Sequence, residues 1–168
     1  EYLQVVQEVH DKVFNTNGVD RTAMRSMWAP SVRWQAVTPQ GFEGDRLIPG
    51  EYDGSAESLD RVRINVLRST EIGRLISDNF KSSIVETYIF STYPSDDARG
   101  HLAGDTIDFK DMGSILEDMR SEINTKYNGK YKVYIIGEPK MIGDFIEGSR
   151  EIVKFGAIAM LITIMLLY

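Results

Sequence analysis

The last fourteen residues constrain this chain more than any other stretch: Phe155 to Tyr168 reads FGAIAMLITIMLLY, without one charge. A helix over those positions has no polar face, and a helix on the surface of a water-soluble protein needs one. At ~1.5 Å per residue the run covers about 21 Å, against the ~30 Å of a hydrocarbon core. The expectation is a truncated transmembrane segment on a fragment of a larger membrane protein; a buried C-terminal core helix is the alternative. Lys154 is the one charge after Glu151. Helical character is expected without interruption from Lys140, amphipathic to about Ile152 through Ile142, Phe145, Ile146 and Ser149. Gly143, Gly148 and Gly156 are the weak points, each costing roughly 1 kcal/mol relative to Ala. At the other end Glu1 opens an amphipathic pattern directly, with no signal peptide.

The rest of the chain reads as globular. Its 168 residues suit one domain or two small lobes, and 42% hydrophobic with 26% charged residues can build a core. A net charge of −6 leaves no basic stripe, which excludes nucleic acid as a partner. Cysteine is absent, so a disulfide scaffold, a thiol nucleophile and a cysteine zinc site are excluded. A large net-acidic segment also lacks the Lys/Arg excess of cytoplasmic loops, which points outside the cytoplasm.

Periodicity and punctuation predict a helix over Tyr2 to Phe14, ended by Asn17-Gly18, then strands over Met24 to Trp28 and Val32 to Val37 around Pro30. Thr38 to Asp53, with two prolines and three glycines, reads as a long loop. A second helix follows Ser55, with Leu59, Val62, Val66 and Leu67 as its stripe. Arg74 to Ser77 and Ser83 to Thr92 read as a strand pair turning at Asp78-Asn79. A third helix fits Phe109 to Tyr127, capped by Asp108, and Tyr131 to Ile136 reads as a strand before Pro139 starts the last helix. This order suggests an α+β fold of the split β-α-β (ferredoxin-like) type, helices over an antiparallel sheet. The division is 1–139, a globular domain whose leading strand is expected to be missing, and 140–168, a helix continuing into the truncated membrane segment. The exposed sheet edge would then favour pairing between chains, a homo-oligomer.

No phosphate loop, nucleophile elbow or HExxH pair occurs. His10 is expected on the polar side of its helix, solvated. His101, near Asp96, Asp97 and Asp105, misses the calcium-loop spacing and reads as a solvated hairpin tip. Glu138, Asp144, Glu147 and Glu151 read as a solvated face or as a contact with another lobe. Met112, Met119 and Met141 take core positions. No catalytic residue, metal ligand or cofactor is expected. Trp28, Trp34, Phe42, Leu47 and Ile48, in and around the Pro/Gly loop, read as ordinary packing or as the lining of an apolar groove.

Several segments together resemble the first extracytoplasmic loop of RND-superfamily exporters. They are Gly18-Val19-Asp20-Arg21, Ala29-Pro30-Ser31-Val32-Arg33, Gly41-Phe42-Glu43-Gly44 leading to Ile48-Pro49, Arg61 to Leu67, Gly73 to Ser77, and Ile136-Gly137-Glu138-Pro139. The resemblance is to the hydrophobe/amphiphile efflux branch with its MmpL-like proteins. It implies a proton-driven secondary transporter of the inner (cytoplasmic) membrane, with two internal repeats, this chain being a periplasmic porter domain plus the start of the second membrane helix. It further implies as partners the membrane, the remaining lobes of the same transporter and a hydrophobic or amphiphilic small molecule or lipid. Proton-relay carboxylates would lie outside this chain. The five groove candidates would meet the cargo, and truncating Phe42 or Leu47 is expected to weaken transport while leaving folding near normal. A membrane-anchored ligand-sensing domain is the alternative from a different class.

Overall fold

The computed structural model describes residues 1–167, and Tyr168, the last position of the expected terminal helix, lies outside them. The described residues form a mixed α+β structure with four helices and two small antiparallel sheets. The chain divides into two compact units, Glu1–Asp105 and Thr106–Tyr168.

The first unit opens with helix α1 (Tyr2–Phe14), which buries Leu3, Val6, His10 and Val13 at helical spacing, with Val5 beside them. The Asn15 amide donates to the Asp11 carbonyl, and Gly18, at φ 91°, makes the left-handed turn out. Strand β1 (Val19–Arg25) pairs antiparallel with β4 (Glu86–Ile89). It lies earlier than the expected Met24 to Trp28. The Asp20 carboxylate collects the N–H groups of Thr22 and Ala23, so the register slips between Asp20 and Arg25. Met24 and Met27 are still buried. Pro30 sits in the turn beyond, where Ala29 donates to Ser26 and Val32 to Ala29.

Strands β2 (Arg33–Thr38) and β3 (Gly41–Arg46) form a hairpin through Pro39-Gln40, in unbroken register from Arg33↔Arg46 to Thr38↔Gly41. The expected long loop is therefore half strand. Glycines and acids make β3 a poor strand by propensity, and its ladder with β2 supplies what its sequence does not. Gly44 is required there, because a Cβ would lie 2.7 Å from the Trp34 carbonyl oxygen.

Helix α2 (Ala56–Arg68) starts where Ser55 accepts the Ser58 N–H. Its Val62 and Val66 join Leu3, Met27, Leu47, Ile48 and Leu75 in one core cluster. The expected pair around Asp78-Asn79 is reduced to a single antiparallel bridge, Ile76↔Ser83, and only Glu86–Ile89 continues as a strand.

In the second unit α3 (Phe109–Lys126) begins at Asp108, whose carboxylate accepts the Lys110 N–H. It packs on α4 (Glu138–Leu167), a continuous helix of 30 residues through all three glycines. Gly113 permits the approach, since a Cβ there would lie 3.0 Å from the Pro139 carbonyl oxygen. Lys140 bridges Glu117 and Asp144 at 2.7 and 2.6 Å. Met112 is buried as expected, whereas Met141 is 67% exposed. The half-buried stripe of α4 runs through Pro139, Ile142, Gly143 and Ile146, which turns Met141 away. Tyr131 to Ile136 is not a strand; its burial alternates, but no ladder partner lies within the described residues of its unit.

Candidate functional site

The two tryptophans, Leu47 and Ile48 come together at one place in the first unit. Leu47 and Ile48 are 0% and 5% exposed, inside the core cluster, and Trp28 and Trp34 pack against it half-buried. Three bonds arrange them. The Trp28 indole N–H donates to the Leu3 carbonyl at 3.0 Å, and its ring meets Tyr52 edge-on at 5.8 Å. The Asn65 amide of α2 donates to the carbonyls of Arg46 and Leu47 at 3.3 and 3.2 Å, so the chain leaving β3 is drawn onto α2. Arg68 lies over the Trp34 ring, 5.2 Å from its centre, while the Trp34 indole N–H is buried without an acceptor among the described residues.

Phe42 stands apart. It is 88% exposed and lies opposite Val37, itself 79% exposed, next to the hairpin turn. A shallow cavity of about 270 Å³ lies elsewhere, lined by residues between Gly73 and Ile84, and none of the five candidates borders it.

Polar pairs make up the rest of the unit's chemistry. His10, expected to be solvated, is instead buried, with its Nδ1 2.7 Å from the Ser26 hydroxyl. The reason is its place on the Leu3–Val6–Val13 stripe, a spacing visible in the sequence. Burial lowers its pKa, and the neighbouring Asp11 charge opposes this only in part. Ser26 is wholly enclosed and also accepts the Trp28 N–H, so the pair is a packing device that no substrate reaches. Glu71, likewise buried, holds both carboxylate oxygens 2.9 Å from one Arg25 nitrogen.

His101 is no solvated tip either. Its ring stacks on Tyr93 at 4.1 Å, and its Nδ1 lies 2.8 Å from Asp97. That bond, followed by the Asn17 amide, holds the Asp97 carboxyl down to about 2. The Asp97 carboxylate is engaged by the Asn17 amide, the Arg99 and His101 backbone N–H groups and the His101 ring, which close this loop, and no group of three metal-ligating side chains occurs among the described residues. In the second unit Glu138, Asp144, Glu147 and Glu151 are exposed, and hydrogen bonds from Lys140 and Arg120 lower the pKa of Glu117.

No residue of α4 is buried, and its side chains from Phe155 to Leu167 are exposed on every side. No described helix is long and apolar enough to cross a membrane. No family model, no curated protein and no solved structure matches this chain.

Proposed function

We propose that this chain is the extracytoplasmic porter domain of a proton-driven RND-type exporter of hydrophobic or amphiphilic molecules, seated on the periplasmic side of the inner membrane. The observation that carries the reading is α4. It couples a half-buried stripe packed on α3 to a charge-free stretch with no protein cover, which suits a helix passing from a folded lobe toward lipid. The ordered motifs of the resemblance support it: all but Arg61 to Leu67, which lies within α2, fall at turns and element starts, where backbone geometry is most demanding. On this reading each pair of strands belongs to a split β-α-β subdomain, and α4 continues as the second membrane helix. The domain contributes no catalytic group; it captures cargo and moves against its partner lobe during alternating access.

The test uses the full-length protein in cells loaded with an amphiphilic dye. Cells that make it should retain less dye than cells that lack it, and a protonophore should remove the difference. Dye retention unaffected by the protein would overturn the reading. A complete reading frame with two similar halves, each bearing such a loop, separates it from a ligand sensor, which would carry a signalling module instead.

A further inference from the structure

The register of the hairpin gives it two chemically different faces. Directly paired residues share a face, so Arg33, Gln35 and Val37 of β2 lie with Arg46, Gly44 and Phe42 of β3. The opposite face carries Trp34, Ala36 and Thr38 with the acids Asp45 and Glu43. On the first face two arginines stand directly opposite each other, an arrangement that is unfavourable by itself. Arg33 is partly occupied, 3.3 Å from the Gly44 carbonyl and 3.7 Å from Asp45. The Arg46 guanidinium makes no hydrogen bond or ion pair within the described residues. Toward the turn the same face ends in Val37 and Phe42, the most exposed apolar pair of the unit.

We propose that this face docks on an anionic lipid surface. Val37 and Phe42 enter the acyl boundary, and Arg33 and Arg46 meet the phosphates. The apolar pair and the arginine pair lie four positions apart along each strand, about 13 Å at ~3.3 Å per residue. Interfacial apolar side chains sit some 5–10 Å deep, so a hairpin lying with this face toward the lipid and tilted so that its turn is lowest leaves the long arginine side chains at headgroup level. The chain's net charge of −6 repels such a surface, so attraction must be local. On the other face Glu43 points away from the lipid in this pose, while Asp45 reaches round to Arg33. The docking is independent of transport; it needs only the exposed face.

The absence of native cysteine allows a unique test. The whole chain is labelled with an environment-sensitive dye at Val37→Cys or, as the opposite-face control, at Glu43→Cys. Each is titrated with vesicles of mixed phosphatidylglycerol and phosphatidylcholine, and with phosphatidylcholine alone. Any attachment through α4 is common to both proteins, so the difference between the two positions reports the hairpin. Emission should move to the blue at position 37 on the anionic vesicles only, and position 43 should not respond. Adding Arg33→Gln and Arg46→Gln should reduce the docked-to-free ratio about thirtyfold. Equal shifts at both positions, a shift at neither, an equal shift on neutral vesicles, or an unchanged response without the arginines would each overturn the proposal. A shift that grows with protein concentration in the absence of lipid would assign the face to a second copy of the chain and overturn it too.

Discussion

Phe42 and Leu47 lie five positions apart, both apolar, both in a stretch rich in glycine and proline, yet one is 88% exposed and the other 0%. The difference is made by what happens at Arg46. Up to that residue β3 is an edge strand held only by β2, and its side chains stay in solvent on both faces. Beyond it, Asn65 draws the backbone against α2, and Leu47 and Ile48 drop between α2 and the rest of the cluster. Hydrophobicity does not decide burial here. The point at which a ladder ends and a helix takes over the backbone does.

The comparison breaks most easily at Leu47. Leu47→Ala removes a fully enclosed side chain and should cost ~3–4 kcal/mol, read as a lower denaturant midpoint at unchanged slope. This corrects the expectation that Leu47 could be truncated without loss of folding, because its side chain is core. A cost below ~1 kcal/mol would mean that the site collapses freely and the contrast is overstated. Asn65→Ala tests the cause. It leaves the Leu47 carbonyl without its side-chain donor, for a loss of about 1 kcal/mol, and amide exchange should quicken around Leu47 and Ile48 but not in the hairpin.

A third measurement asks whether the buried polar pair behaves like the core around it. His10 titrates below its ordinary 6.5 when folded, so the unfolded chain takes up its proton first. Stability should therefore fall as pH drops through about 6.5, and His10→Gln should flatten that slope. Asp97 acts in another window. Its carboxyl is lowered from 3.8 to about 2, so its contribution is present above pH ~4 and disappears between there and about 2. Thermal unfolding at stepped pH separates the two; a slope near 6.5 that survives His10→Gln would remove His10 as its source. The smallest expected effect closes the set. Phe42→Ser should change stability by no more than ~0.5 kcal/mol, because the ring touches little of its own unit. A large loss would show that Phe42 packs like Leu47 after all.

Where an element carries its own instructions, the sequence suffices. The first three helices follow from periodicity and from Ser55 and Asp108 as caps, since a helix closes its hydrogen bonds within itself. The same holds for the unbroken run of α4, where three glycines are outvoted by their neighbours. Strands carry only half of their instructions. Tyr131 to Ile136 has strand residues and no ladder, while Gly41–Arg46 has poor strand residues and a complete one, because the other half of every strand bond belongs to a distant segment. Of the five groove candidates the sequence marked the apolar character, and the tertiary structure decided that four gather at a core and one faces solvent. It also paired His10 with Ser26 and Arg25 with Glu71, 16 and 46 positions apart, where side-chain spacing along the chain carries no information about contact. Local chemistry thus fixed which residues could form helices and which were apolar. Only the meeting of distant backbones determined where each strand ended, and therefore which of those apolar residues the solvent sees.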